Sequence, residues 1–507
     1  MIMLLLLAGA LAVEVLMHLF SAWPHARSLL AWLGILAQAF AAGSIFAVSG
    51  LNVFTLLLAL FGIYRVFNLL RVIERRMHED YLRRATRGSS IALSAMQLAV
   101  AGLLLGWEKW HTTGRVVWAA LCVSQAIVGL IFMLSVGRTM RRTQWPRPKK
   151  HYADADLPAV TVAIPARNET EDLEQCLQSI IASDYPKLEV IVLDDCSQNS
   201  RTPEIIRDFA HAGVRFIQGK EPQPTWLPKN QAYERIAAEA SGAYILFCGV
   251  DVRFMSDSLR MIVSTMLDRD KQMISILPRR QESAYGRLSL IQAMRYWWEL
   301  VPPRRTFRRP PVISSCWVIT AEMLKKAGGF AAIKRSIVPE AYFAREAIKQ
   351  NDGYSFLRSD GLGVESNKTV SEQRATAIRM RYPQLHRRPE QVALAALWEL
   401  IYLVLPFVLA VGGFWWPIGA PAHVAAILAS VYLVISYEYA VLSTRVNTWW
   451  FGLFAQPFAV MSDIILIHYS MWRYEFASVD WKGRNVCVPV MHVVPSLPPL
   501  YPPKNNA

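Results

Sequence analysis

No two of the six cysteines form a C-x-x-C pair; they stand at 122, 176, 196, 248, 316 and 487. That scatter argues against a zinc site or a disulfide framework and suits a reducing compartment. Acids are also scarce: Asp+Glu 39 against Lys+Arg 54 leaves a formal charge of +15. Such an excess would suit a nucleic-acid binder, but 53% of the residues are hydrophobic. In so apolar a chain, basic loops facing anionic lipid explain the charge better, and no nucleic-acid partner is expected. The apolar N-terminal stretch, 1–20, lacks the basic start and the small-residue cleavage site of a secretory signal. It is therefore expected to stay as a membrane span.

Long apolar runs fill the two ends. Residues 3–20, 29–48, 51–70, 91–107 and 116–136 each suffice to cross a bilayer, and 392–411, 423–442 and 449–468 follow the middle region. Glu14, costly in lipid, is expected near a helix end or packed against another helix. The segment 71–87 carries six arginines and 138–150 six basic residues. The positive-inside rule puts both in the cytoplasm, with the N-terminus outside and the middle domain cytoplasmic. The expected location is a bacterial-type plasma membrane. Three C-terminal crossings would leave the tail outside, whereas 472–484 is basic; one run that only dips into the interface would reconcile the two.

The layout read from these patterns is N-terminal transmembrane helices (1–137), a basic, proline-punctuated linker (138–156), an α/β domain (157–385), C-terminal transmembrane helices (386–470) and a tail (471–507). Within the domain, 159–195 reads as strand, polar loop, helix, strand and a second polar loop. Val160, Val162 and Ile164 open the first strand; Leu173, Cys176, Leu177, Ile180 and Ile181 recur at helical spacing; Val190–Leu193 forms the continuous apolar run of a parallel strand buried on both faces. Acids thus gather beyond the carboxyl ends of adjacent strands, where open α/β sheets bind ligands. Further strands are expected at 214–218, 243–248 and 273–277. A Trp-rich amphipathic helix is expected at 289–300, followed by Arg304, Arg305, Arg308 and Arg309; it suits either the membrane surface or the domain.

Several of these pieces resemble membrane-bound family 2 glycosyltransferases of the GT-A fold. Val162-Ala163-Ile164-Pro165-Ala166-Arg167-Asn168-Glu169 and Val190-Ile191-Val192-Leu193-Asp194-Asp195 resemble the family's nucleotide-binding half. Trp226-Leu227-Pro228-Lys229-Asn230, Ser241-Gly242-Ala243, Ala327-Gly328-Gly329-Phe330 and Trp481-Lys482-Gly483-Arg484 follow in the family's order. The resemblance implies a GT-A domain between transmembrane regions, a nucleotide-sugar donor, a lipid or lipid-linked acceptor and a divalent cation, Mg²⁺ or Mn²⁺. It implies nucleotide contacts at Pro165, Arg167, Glu169, Asp194, Asp195 and Lys229.

Three motifs depart from the family pattern. Its Asp-x-Asp is Gly249-Val250-Asp251 here, which leaves Asp251 as the metal ligand. Its Glu-Asp is Pro339-Glu340, so Glu340 takes the general base's place, a role typically worth about 10²–10⁴-fold in rate. Its Gln-x-x-Arg-Trp is Ile378-Arg379-Met380-Arg381-Tyr382, which assigns Arg381 and Tyr382 to the catalytic set. On the residues alone, Asn168 and Ser197 equally suit capping of helices and turns. A processive polysaccharide synthase and a nucleotide-sugar-binding membrane protein without turnover stay open as alternatives.

Overall fold

The computed structural model describes residues 2–19, 24–51, 53–73, 80–107, 114–143, 148, 150–280, 289–301, 310–350, 353–442, 444 and 449–487. The arginine cluster at 304–309, much of the basic segments 71–87 and 138–150, and the tail beyond 487 lie wholly or partly outside them.

The middle of the chain builds a mixed sheet. Its strands are β1 (Val160–Ala166), β2 (Leu188–Asp194), β3 (Val214–Gln218), β4 (Tyr244–Cys248), β6 (Met273–Leu277), β8 (Cys316–Thr320) and β9 (Tyr354–Arg358), in the order β3-β2-β1-β4-β8-β6-β9. The first four in that order run parallel, Val162 pairing with both Val190 and Leu246. β8 is antiparallel to both neighbours and β9 parallel to β6. A small second sheet joins β5 (Val252–Phe254), β10 (Val364–Ser366) and β7 (Arg279–Arg280). The strands expected from the sequence are all present; β8, β9 and the small sheet were not foreseen.

The two faces of the large sheet pack differently. Val160, Val162, Ile164, Val190 and Val192 point into a core with the helices Glu171–Ile181, Arg201–Asp208 and Ser258–Asp268. Glu171, Asp172 and Glu174 favour the first helix's positive end, and Leu173, Cys176, Leu177 and Ile180 are its buried stripe. Burial of each large apolar side chain contributes about 1.5–3 kcal/mol. Ala163, Ile191, Leu193, Ile245 and Phe247 face the other way. There they share one core with Phe132, Val136 and Met140 of the helix Gly114–Thr143 and with Leu433 and Tyr437 of Ala420–Leu442. The domain is thus fused to apolar helices through one face of its sheet.

All five N-terminal apolar runs are helices: Ile2–Leu19, Pro24–Ser49, Val53–Ile73, Asp80–Trp107 and Gly114–Thr143. Among the described residues, five segments are long and apolar enough to cross a membrane: Arg27–Ala47, Val53–Ile73, Val116–Arg141, Pro389–Gly412 and Ala420–Leu442. Glu14 meets Arg65 of a neighbouring helix at 3.0 Å, the packed arrangement expected for it. The helix Trp449–Phe476 is not among those five and carries Asp463, Arg473 and Glu475. Its Ala455, Ala459 and Val460 join the core under the sheet, and its far end leads into a hairpin docked on the domain. Arg71 of Val53–Ile73 fastens it through Glu475, at 2.8 Å. The Trp-rich helix is Leu290–Leu300, and its aromatic face meets protein. Trp297 Nε1 donates to Ser436 Oγ at 3.0 Å and Trp298 Nε1 to Asp463 Oδ2 at 3.2 Å.

Candidate active site

A cavity of about 330 Å³ opens at the carboxyl ends of β1 and β4, bounded by the helices Leu290–Leu300 and Val370–Gln384 and by the C-terminal hairpin. Pro165 and Glu169 enter it from the loop after β1, Lys229 from the start of the helix Pro228–Glu239, and Gly249 and Asp251 from the loop after β4. Arg295 and Tyr296 come from Leu290–Leu300, Lys368 from the loop after β10, and Arg379 and Met380 from the helix Val370–Gln384. That last helix is fixed at its start by a capping box between Thr369 and Glu372. Trp481 and Lys482 of the C-terminal hairpin close the remaining side.

The acids after β1 and β2 are already held within the protein. Glu169 is ion-paired with Lys482; burial pushes its carboxyl up and Lys482 pulls it back. Asp195 accepts from Arg484 Nη1 at 2.5 Å, and burial pushes it up to about 6 against the pull of Arg484 and Arg167. Asp194 accepts from the Ser197 backbone N–H at 3.0 Å and from Gln218 Nε2 at 3.4 Å, so it shapes its own turn. Arg167 donates to the carbonyls of Asp195 at 2.6 Å, Cys196 at 2.5 Å and Lys482 at 3.0 Å. It ties three loops together rather than lining the cavity. Asn168 takes a positive φ of 49°, which its short polar side chain tolerates, and its Oδ1 accepts from the Gln198 N–H at 2.7 Å.

At the end of β4 the side chain of Asp251 folds back over Gly249. A Cβ on residue 249 would lie 2.5 Å from Asp251 Oδ1, so an aspartate there would force this side chain elsewhere. Asp251 Oδ2 accepts from Ser366 Oγ at 3.2 Å. Among the described residues no three His, Cys, Asp or Glu side chains cluster to form a closed metal site.

Glu340 stands in the first turn of the helix Pro339–Lys349, with Pro339 at the position where a missing N–H costs nothing. It is 1% exposed, and its Oε2 has no hydrogen-bond partner. Burial pushes its carboxyl up, opposed chiefly by Lys229; burial pushes Lys229 down, opposed chiefly by Glu340. Asn230 brings the two together. Its Nδ2 donates to the carbonyls of Ile333 at 3.1 Å, Lys334 at 3.2 Å and Ser336 at 2.8 Å, pinning the loop before Glu340 to the helix of Lys229. Nothing in the sequence beyond a motif asparagine signalled that task.

Arg381 and Tyr382 point away from the cavity. Arg381 pairs with Asp463 and, at 3.5 Å, with Glu399; Tyr382 is fully buried and donates from Oη to the Arg387 carbonyl at 2.9 Å. Arg379 is the arginine of this helix that lines the cavity, its guanidinium 5.2 Å from the centre of the Trp481 ring. Two residues apart on a helix are about 200° apart in direction, so the motif spacing alone could not choose between them. Burial, with Arg295 adding to it, pulls Arg379 down to about 10. Burial likewise pulls Lys368 down to about 8, with Asp251 opposing and Arg295 and Arg379 adding. Lys368 and Arg295 carried no sequence signal: one sits in a loop, the other in the Trp-rich helix.

Residues 161–328 match the profile of glycosyl transferase family 2. Glycosyltransferase AglE of Haloferax volcanii is 34% identical over 114 residues, 22% of this chain and 36% of that protein. Ceramide glucosyltransferase of Komagataella phaffii is 28% identical over 117 residues, 22% of this chain and 21% of that protein. The chain spans less than half the length of these curated relatives. A solved mannosyltransferase, PcManGT from Pyrobaculum calidifontis with GDP-Man and Mn²⁺, aligns over 69% of this chain and 99% of its own, with 19% identity and a TM-score of 0.44. Residues 161–328, within a mixed sheet flanked in sequence by apolar helices, are a family 2 glycosyltransferase domain of the GT-A fold.

Proposed function

We propose that the protein is an integral-membrane glycosyltransferase that moves a sugar from a nucleotide-sugar donor to a hydroxyl on a lipid or lipid-linked acceptor. The observation that carries this is the pairing, in and beside one cavity, of the cations Lys229, Arg295, Lys368 and Arg379 with the buried, incompletely bonded carboxylate of Glu340. A diphosphate leaving group calls for positive charge, and a hydroxyl nucleophile calls for a base. Lys229 lies in the first turn of a helix, where free N–H groups add to its attraction for phosphate. Arg379, from Val370–Gln384, and Lys368, from the loop after β10, face the same space. The acceptor would enter past Arg295 and Tyr296, whose helix rests on Ala420–Leu442.

In the proposed step the acceptor O–H gives its proton to Glu340 while its oxygen attacks the anomeric carbon. The bond from that carbon to the diphosphate oxygen breaks, and the nucleoside diphosphate departs with the electron pair. One base and no second nucleophile make this a single displacement with inversion. Asp251 would hold a divalent cation: one carboxylate with donor phosphate oxygens and water is a sufficient shell for Mg²⁺. Such a cation supplies further positive charge to the leaving group. Glu169, Asp194 and Asp195 would form the nucleoside end, and the domain would face the cytoplasm, where nucleotide sugars are made.

The test is purified full-length protein in lipid with a panel of nucleotide sugars and Mn²⁺. Donor-dependent release of nucleoside diphosphate is expected. No release from any donor would overturn the proposal.

A further inference from the structure

A hairpin near the C-terminal end of the described residues closes one side of the site. Two short strands, β11 (Asp480–Trp481) and β12 (Arg484–Asn485), form a hairpin turned at Lys482 and Gly483, with φ of 49° and 82°. The Lys482 carbonyl accepts from Arg167 Nε at 3.0 Å and Asn168 Nδ2 at 2.9 Å, which seats the hairpin on the loop after β1. Its side chain pairs with Glu169, 313 residues earlier in the chain. Arg484 reaches Asp195 Oδ2 at 2.5 Å and Glu221 Oε2 at 3.1 Å. Glu169 is 7% and Asp195 4% exposed, and carboxylates so buried ionise poorly without a cation.

We propose that Lys482 and Arg484 are positioning residues of the donor site, holding the Glu169 and Asp195 carboxylates ionised and aimed so that they accept hydrogen bonds from the donor's nucleoside. This rests on the glycosyltransferase reading above. The two acids follow adjacent parallel strands, at the usual ligand-binding edge of an open α/β sheet. Each pairs with a different residue of a hairpin only six residues long. A hairpin with only a structural role would need neither pair, because its backbone bonds to Arg167 and Asn168 already seat it.

Charge accounts for the expected pH dependence. The groups facing Asp195 are Arg484 from the hairpin, Arg167 from the loop after β1, Glu221 from the loop after β3, and Asp194 and Cys196 beside it. Burial pushes Asp195 up to about 6, and Arg484 is the largest influence pulling it down. Without Arg484 it titrates at a higher pH still. A carboxylate accepts above its pKa and fails below it, so the variant loses donor affinity at a pH where the wild type keeps it.

The experiment titrates UDP and GDP, with Mn²⁺, into the full-length protein and its Arg484→Gln and Lys482→Gln variants from pH 5.5 to 8.5. Lys482→Gln retains the backbone carbonyl that seats the hairpin, so it remains informative if Arg484→Gln folds poorly. At pH 7 each variant is expected to bind the preferred nucleotide about tenfold more weakly, the loss of a hydrogen bond to a charged group. The deficit should shrink as the pH rises, and Arg484→Lys should recover most of it. Wild-type affinity in both variants, or an equal loss at every pH, would overturn the positioning role alone. A wild-type protein that binds neither nucleotide would overturn the glycosyltransferase reading together with it.

Discussion

The two sides of the candidate site, in and beside the cavity, differ in how their charges are met. On the side of β1 and β2, each acid has an internal partner: Lys482 on Glu169, Arg484 on Asp195, the Ser197 N–H on Asp194. On the other side, Lys368, Arg379 and Arg295 form no ion pair among the described residues, and Glu340 Oε2, buried beside the cavity, accepts nothing. The first side is assembled before any ligand arrives. The second leaves its charges for one. Buried charge without a partner is costly, so proteins keep it where a ligand or a reaction supplies the counterpart.

Substitutions can break or sharpen that contrast. The largest effect is expected at Glu340→Gln, which should lower kcat about 10²–10⁴-fold while donor affinity, measured by titration, stays at the wild-type value. Next comes the pair on one helix. Arg379→Ala should reduce kcat/KM about 10–100-fold, the loss of a charge-assisted bond to phosphate, with little change in thermal stability. Arg381→Ala should do the reverse: Asp463 and Glu399, 3% and 2% exposed, lose their cation, at a cost of about 3–5 kcal/mol in unfolding, with kcat per folded molecule preserved. Equal activity losses in the two would erase the distinction between the faces of that helix.

A subtler probe is Lys229→Met. Lys229 is the main influence holding Glu340 down against burial, and a base works only when ionised. Removing it should move the acid limb of the kcat profile to higher pH, beyond any loss in donor affinity. An unmoved limb would separate the two residues. The smallest effect belongs to Gly483→Ala. Gly483 has φ 82°, and an added Cβ would meet Gln198 Oε1 at 2.8 Å, so about 1 kcal/mol of local strain is expected, read as a modest drop in hairpin protection from hydrogen exchange.

How far the sequence could be read followed the range of the interactions involved. The strands at 160–166 and 188–194 and the helix between them declare themselves through local periodicity, and Glu169, Asp194 and Asp195 through their place at strand ends. β8 did not, because an antiparallel strand inserted between β4 and β6 is fixed by pairing with partners dozens of residues away. The same holds for the site. Lys229 and Glu340 could be named singly from motifs, but their proximity depends on Asn230 bonding to a loop about 100 residues on. The motif points to Arg381 whereas Arg379 lines the cavity, because spacing fixes a helix and not which side faces the ligand. The tail motif was visible, whereas its contact with the acids of β1 and β2 required the fold.

The most direct test of the account is transfer itself, with full-length protein in bilayers made from lipid extract and a labelled nucleotide sugar. Nucleoside diphosphate in the aqueous phase and sugar in the lipid phase should appear in equal amounts with the wild type and fall by at least about a hundredfold with Glu340→Gln. Absence of transfer from every donor, or transfer unaffected by Glu340→Gln, would contradict it.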